Sequence, residues 1–326
     1  MRLRIFYGDS VEKIPGFKKE ITTNYDFTNF DAVMRDGRKS LGYGQIDRLW
    51  LDYTKKNLEV TLGRQRIAWG TALVWNVIDL FNPKSVLDFD YEEKPGADAL
   101  RIQYYTGAVS KVELSARPGK DIEHSTVAGL FSINWANYDF FFIGGTRNNR
   151  WVAGGAWAGS VLDGGFRGEF LISQSPDRDV SRGNSLFPVP GESIFASHKT
   201  VASFVLSGDY TFTNTFYILT ECLYNSNGKR KNAGLFQQEA IDAGMLSPAQ
   251  WSIYQEFSYD ITPLTKATIF GIFNPNDHSS IVVPMLSKSL KTNLDLLLIG
   301  FFPSGKAATE FGVYGKSIDI RLKYSF

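Results

Sequence analysis

Residues 318–326 read Ile318-Asp319-Ile320-Arg321-Leu322-Lys323-Tyr324-Ser325-Phe326, and their apolar and polar side chains alternate without an exception. An extended strand turns successive side chains to opposite faces. This period of two therefore puts every apolar side chain on one face and every polar one on the other. The stretch predicts a half-buried β-strand that ends on an aromatic residue.

The same alternation recurs upstream, between signals for turns. Clear examples are residues 202–212, 216–224, 251–261 and 281–285, the last with an apolar face of Ile281, Val283 and Met285. Strands of about 9–11 residues with one apolar and one polar face are what a tilted barrel strand needs to cross a bilayer. The aromatic fraction of 14% also favours strands, in which aromatic residues are enriched.

The connections between these segments alternate between tight and long. Tight connections fall at 55–57, 106–107, 136–137, 162–164, 213–214, 262–263 and 291–292. Longer ones fall near 34–42, 70–97, 118–123, 147–150, 175–197, 225–250, 274–279 and 303–307. Short periplasmic turns on one side and longer extracellular loops on the other are typical of outer-membrane barrels.

Both patterns predict an all-β fold, a transmembrane antiparallel β-barrel in a single domain over residues 1–326. The spacing gives about 16 strands from residue 21 onward, within the range of bacterial barrels. Residues 1–8 form a further predicted strand that has no partner ahead of it in the chain. We therefore expect an amino-terminal truncation that removed a signal peptide and one strand, which makes about 18 the full count.

The carboxy-terminal strand resembles the last strand of bacterial outer-membrane β-barrels, in which a terminal Phe marks the recognised end. The resemblance implies that Tyr324 and Phe326 form an assembly signal for the barrel-assembly machinery. It also implies that the chain lies in the bacterial outer membrane, surrounded by its lipids. The last strand of a soluble β-sandwich is the alternative.

Composition and charge exclude several other classes of function. The 35 Lys and Arg residues nearly cancel the 34 Asp and Glu residues, so nothing favours nucleic acid as a partner. The single cysteine, Cys222, excludes an intrachain disulfide framework and any multi-cysteine zinc site. The three histidines are scattered without ligand spacing, and no cofactor is predicted.

The most individual motif is Gly63-Arg64-Gln65-Arg66-Ile67-Ala68-Trp69-Gly70, followed by Asn76, Asn82-Pro83 and Pro95-Gly96-Ala97. It resembles the signature of a family of uncharacterised bacterial outer-membrane proteins, which runs GRQ, WG, Asn-Pro and Pro-Gly-Ala. More distantly, the segment is similar to porin-type channels such as the alginate-export barrels. The resemblance implies location and fold and does not name a solute.

The connection at 70–97 is too long for a passive link. Its apolar pieces, 72–75 and 77–81, predict either a lid packed on the barrel rim or a segment folded into the lumen that narrows it. The loop is acidic, and arginines are predicted at lumen positions of the strands. The predicted pore-lining and constriction residues are Arg48, Arg101, Arg117, Arg147, Arg167, Asp79, Asp88, Asp90, Glu92 and Glu93.

An acidic loop opposite a basic wall would produce a transverse field that sorts polar solutes. Alternatively, lumen carboxylates neutralise the arginines in pairs. The carboxylates predicted at lumen positions are Glu59, Glu113, Glu169, Glu221, Glu256, Asp209 and Asp260. Strict alternation turns Arg64 and Arg66 outward, unless a bulge or a position at the rim intervenes, and the sequence leaves these explanations open.

The predicted function is a porin for passive diffusion of small polar solutes, since a barrel of about 16 strands leaves an aqueous lumen. One alternative is anchoring or export of surface polysaccharide, with glycans bound by the loops 175–197 and 225–250. Another is an outer-membrane hydrolase, with His124 or His198 beside a serine such as Ser197 or Ser203. No Gly-x-Ser-x-Gly elbow occurs, so we expect no enzyme. The sequence is compatible with an oligomer.

Overall fold

The computed structural model describes residues 2–7, 27–28, 30–81, 96–175, 199–312 and 314–324. Most of them lie in strands: β1 (Arg2–Tyr7), β2 (Asp31–Gly37), β3 (Ser40–Gln45), β4 (Leu49–Lys55), β5 (Leu58–Gln65), β6 (Ala97–Tyr105), β7 (Lys111–Arg117), β8 (Thr126–Trp135), β9 (Tyr138–Arg147), β10 (Arg150–Val161), β11 (Gly164–Gln174), β12 (Thr200–Thr211), β13 (Tyr217–Asn225), β14 (Trp251–Thr262), β15 (Thr265–Asn274), β16 (Ser279–Lys291), β17 (Leu294–Ser304) and β18 (Ser317–Tyr324). The described helical segments are α1 (Gln237–Ala243) and the 3₁₀ turns Ile122–His124 and Ala233–Phe236. None of the described helices is long and apolar enough to span a membrane.

Strands β4 to β18 form one 15-stranded sheet in which neighbours in the chain are hydrogen-bonded to each other. A smaller sheet has the order β1-β3-β2. Successive strands run antiparallel, and the last pair places Leu296 of β17 opposite Leu322 of β18. The all-β antiparallel architecture predicted from the alternation is confirmed.

The connection predicted at 34–42 is wrong, because that stretch holds the end of β2, a turn at 38–39 and the start of β3. Strand β3 pairs with β1 and β2, whereas β4 pairs with β5. Beyond Gln45, the N–H of Ile46 still donates to the carbonyl of Phe30 at 3.1 Å, and the carbonyl of Ile46 accepts from Arg64 Nη1 at 3.2 Å. The strand that was expected to lack a partner, β1, therefore finds one within the chain.

The fold divides into two compact units. The first comprises Met1–Trp69, Asp79–Ile133 and Phe142–Val152, and the second comprises Gly70–Ile78, Asn134–Phe141 and Ala153–Phe326. The loop that follows β5 contributes residues to each of them. A single domain over residues 1–326 stays a prediction.

The two faces of the strands in the second unit differ in an unusual way. The side chains on one face are large, apolar and exposed, as at Phe257 (40%) and Ile269 (45%). The opposite face is buried, and it mixes apolar side chains such as Leu223 with charged ones such as Glu169 and Glu221, each 0% exposed. Soluble proteins expose charged groups and bury large apolar ones, so a face of exposed apolar side chains opposite buried glutamates indicates strands whose outer face meets hydrocarbon. The exposed apolar face is called the outward face, here and in the first unit, and the opposite face the inward face.

The prediction for residues 281–285 is wrong in its choice of face. Ile281 and Val283 lie on the inward face, where Val283 is paired with Phe270 of β15, and it is Val282 that turns outward opposite Phe302. The sequence Ile281-Val282-Val283-Pro284-Met285-Leu286 is apolar at every position. Its composition therefore contains no alternation from which the register could be read.

We expect Ile269→Arg and its neighbour Thr268→Arg to differ sharply in stability. Ile269 lies at the middle of β15 on the outward face, so the substitution places a guanidinium in hydrocarbon at a cost of about 2–4 kcal/mol. Thr268 is half-buried on the inward face, opposite Met285, where a long charged side chain can reach water. Urea unfolding in phospholipid vesicles measures both free energies, and equal losses would show that the faces are assigned wrongly.

Candidate functional site

The end of β5 is fixed by a glycine and a glutamine. Gly63 has φ +124°, and a Cβ atom there would lie 2.4 Å from the carbonyl oxygen of Leu49, so no other residue fits at this approach to β4. The side-chain amide of Gln65 donates to the carbonyls of Thr61 and Ala99, both at 3.0 Å. These contacts set the point from which the chain leaves the sheet and enters the long loop.

The position of Arg64 is settled by register and by what covers it. The pairing of β5 with β6 is continuous from Leu62 to Gln65, which excludes a bulge, and places Arg64 on the outward face beside Leu62. It is nevertheless only 1% exposed, because Thr28 and Phe30 pack over it. Its guanidinium donates to both oxygens of Asp98, at 2.7 and 3.0 Å, so the buried cation has a bidentate partner. Arg66, in contrast, is exposed.

Arg101 lies on the inward face of the first unit and is paired with Glu113. Its Nε and Nη2 donate to the two oxygens of Glu113 at 2.7 and 2.9 Å. Lys111 Nζ reaches the same carboxylate at 2.9 Å, and so does Trp69 Nε1, which arrives from the loop after β5. Glu113 therefore binds Trp69 at the start of the loop after β5. Because Arg101 and Lys111 share this one carboxylate, the cluster has a net charge of one positive unit.

Arg117 and Arg147 lie near the next part of the loop, also in the first unit. Arg117 Nη1 donates to the carbonyl of Phe81 at 3.0 Å, and the ring of Phe81 meets Trp69 edge-on at 5.0 Å. Asp79 is 1% exposed and attracts the guanidinium of Arg147 electrostatically, whereas Arg117 repels it. The structure therefore brings one predicted acidic residue together with two predicted arginines.

The other residues predicted for the pore and for the assembly signal lie in several separate parts of the chain. Arg167 forms an ion pair with Asp209 on the inward face of the second unit. Arg48 lies 3.6 Å from Asp47 in the link between β3 and β4. Tyr324 is exposed on the outward face of β18. Asp88, Asp90, Glu92, Glu93 and Phe326 lie outside the described residues.

The sequence did not predict how the loop is held in the second unit. Glu169 of β11 accepts backbone N–H groups from Thr71 at 2.5 Å, Ala72 at 2.7 Å and Ile78 at 3.3 Å. Glu221 of β13 accepts the next ones. Its donors are Leu73 N at 3.0 Å, Val74 N at 3.2 and 3.3 Å, and Trp75 N at 2.6 Å. Six peptide groups of the loop are therefore bound by two side chains of the inward face.

Side-chain contacts complete the attachment. Trp75 is 2% exposed and meets the ring of Tyr254 edge-on at 6.2 Å, while Thr71 Oγ1 donates to the carbonyl of Trp157 at 3.2 Å. Gly70 has φ +119°, and a Cβ there would lie 2.9 Å from Glu169 Oε1. The signal in the sequence was a glutamate between two leucines on one face of β13, at positions 219, 221 and 223.

A second buried network is centred on the carboxylate of Glu310 and joins the loops that follow β13, β15 and β17. Glu310 accepts Ser247 Oγ at 2.8 Å and Asn274 Nδ2 at 3.0 Å, and its own N–H donates to Asp277 at 2.8 Å. Asn225 Nδ2 donates to the carbonyl of Ser247 at 3.2 Å. Burial raises the pKa of Glu310 to about 7.

This network predicts that the loop around Ser247 opens more easily at higher pH. The raised pKa means that the packed state favours the protonated carboxyl, so its contribution is complete below the ordinary pKa of 4.5 and is lost as pH rises through about 7. We expect the free energy of local opening to fall by up to about 3 kcal/mol between pH 4 and pH 9. Hydrogen exchange of residues 233–245, corrected for intrinsic rates, measures it. In Glu310→Gln the dependence should vanish, and an unchanged dependence there would contradict this account.

The serines near the histidines are engaged elsewhere. Ser203 Oγ donates to Asn225 Oδ1 at 2.7 Å, and Ser125 Oγ donates to the carbonyl of Asp121 at 2.7 Å. His124 Nδ1 lies 2.6 Å from Asp121 Oδ1 in the same loop, and this contact lowers the pKa of Asp121. His198 and Ser197 lie outside the described residues. Among those described, no group of three or more His, Cys, Asp or Glu side chains is placed to hold a metal ion.

No protein-family model matches the chain, and no curated protein is similar to it. Among solved structures, it is similar to the crystal structure of OccK10 (OpdN), an outer-membrane porin of Pseudomonas aeruginosa. The TM-score is 0.51 at 8% identity, and the likeness covers 83% of this chain and 80% of that one. At this identity the likeness establishes the fold, which is the transmembrane antiparallel β-barrel predicted from the sequence.

Proposed function

We propose that the protein is a porin of the bacterial outer membrane, through which small polar solutes diffuse passively. The observation that carries the proposal is the binding of residues 71–78 by Glu169 and Glu221, because these glutamates belong to the inward face of a porin-type fold. A loop held there lies where a solute would pass, and it narrows the passage.

The charges of the inward face support hydrophilic solutes. Arg101 and Lys111 converge on Glu113, and Arg167 pairs with Asp209, so cations and anions share the wall. We propose that Arg117, Arg147 and Asp79 form the charged part of the constriction, together with Arg48 and the acidic residues at 88, 90, 92 and 93. Of the two alternatives that the sequence left open, neutralisation by a carboxylate describes Arg101 and Arg167, which are paired with Glu113 and Asp209. A transverse electric field fits the region in which Arg117 and Arg147 outnumber the carboxylate of Asp79.

The outward face of the strands supports a location in the outer membrane. The outward face is apolar and suits the lipids of the outer membrane. Tyr324 and Phe326 would serve as the signal for the barrel-assembly machinery. No enzymatic step is assigned to the chain. Anchoring or export of surface polysaccharide is the alternative role, and it differs from a porin in passing no current when no polymer is supplied.

Conductance in a planar bilayer tests the proposal. We expect the purified, refolded protein to give stepwise openings in KCl, and we expect liposomes that contain it to swell in small sugars, amino acids or organic acids. Heat-unfolded protein is the control, since an unfolded chain forms no water-filled lumen. Absence of both current and swelling from protein that is folded by circular dichroism would exclude a porin and favour the anchor.

A further inference from the structure

The two glutamates that hold the loop have peptide groups as partners where ion pairs would be expected. Among the described residues, no Lys or Arg nitrogen lies within 4.0 Å of the carboxylate of Glu169 or Glu221, although both are 0% exposed. A carboxylate taken out of water needs several donors, and here six loop N–H groups supply them. Successive N–H groups turned to one side make an anion-binding concavity, which the loop forms around these side chains.

Two other charged groups on the inward face have partners of their own. Arg167 lies two positions from Glu169 on β11, and its guanidinium is paired with Asp209. Glu256 accepts the hydroxyl of Tyr254 at 2.5 Å. Within the described part of the second unit, then, the peptide N–H groups of the loop stabilise Glu169 and Glu221 by hydrogen bonds. If the loop departs, two carboxylates face the passage without it.

We infer that Glu169 and Glu221 are positioning residues that latch residues 71–78, and that the latch couples the bore of the channel to its charge selectivity. With the loop bound, the passage is narrow and both carboxylates are covered by peptide dipoles. With the loop released, the passage is wider and carries two uncovered negative charges, which favour cations. The inference rests on the proposed porin function.

Two variants distinguish a change in the width of the passage, measured as conductance, from a change in its charge, measured as reversal potential. Replacing residues 72–77 by a short Gly-Ser link should raise single-channel conductance and shift the reversal potential in a KCl gradient towards that of K⁺. The double substitution Glu169→Gln with Glu221→Gln should raise conductance, because a neutral amide is a weaker acceptor than a carboxylate, but without the shift. Adding the double substitution to the loop replacement should abolish the shift and leave conductance high.

Glu123→Gln is the matched control. Glu123 is exposed in the 3₁₀ turn Ile122–His124 of the first unit, outside the strands. It should leave both conductance and reversal potential as in the intact protein. A loop replacement that raises conductance without moving the reversal potential would overturn the coupling.

A spin label tests the latch without any current. Leu73 has a half-exposed side chain while its N–H is bound to Glu221, so Leu73→Cys can carry the label once the only cysteine is removed by Cys222→Ala. We expect a restricted spectrum in that background, a mobile one when Glu169→Gln and Glu221→Gln are added, and no change with Glu123→Gln. Unchanged mobility in the double variant would overturn the latch. A mobile spectrum in a protein that never conducts would support the latch and refute the porin.

Discussion

The outward face of the 15-stranded sheet has to meet hydrocarbon, and the rest of the structure depends on that constraint. A bilayer core offers no water to backbone groups, so each strand must be hydrogen-bonded to its neighbours. The side chains that alternate outward must be apolar, as on β18, and charged ones such as Glu169 and Glu221 are collected on the inward face among apolar neighbours. A soluble sheet would expose such charged side chains and bury the outward ones.

Polar groups gathered on an inward face need partners, and two kinds are found. Glu113 and Asp209 are neutralised by side chains of the strands, through Arg101 and Arg167. Glu169 and Glu221 are satisfied by the backbone of a loop. The first kind is fixed as soon as the strands are paired. The second kind joins the sheet to residues 71–78, which lie outside the strands, so it involves none of the hydrogen bonds that pair the strands.

Period-two alternation with one apolar face was sufficient to predict the fold, because the hydrocarbon constraint acts along the whole 15-stranded sheet. It failed at residues 281–285, where both faces are apolar and the register is decided by pairing with Phe270 and Phe302. It could not divide β3 from β4, because what separates them is their pairing, with β1 and β2 for β3 and with β5 for β4.

The candidate site was harder to predict than the fold. The sequence indicated that residues 70–97 were unusual and that arginines and carboxylates would meet, as Arg101 and Glu113 do. It did not indicate Glu169 and Glu221 as the residues that hold the loop, because their partners are peptide N–H groups, which every residue but proline possesses. Such contacts leave no trace in side-chain chemistry. They are visible only once the chain is folded.

Residues 71–75 are bound on the inward face through their own N–H groups. Hydrogen exchange of these five amides in the intact, membrane-inserted protein tests it most directly. Donors buried against carboxylates should exchange as slowly as the amides of β11, although residues 71–75 belong to no helix or strand. Exchange at the rate of an unstructured peptide, with β11 still protected, would contradict the account.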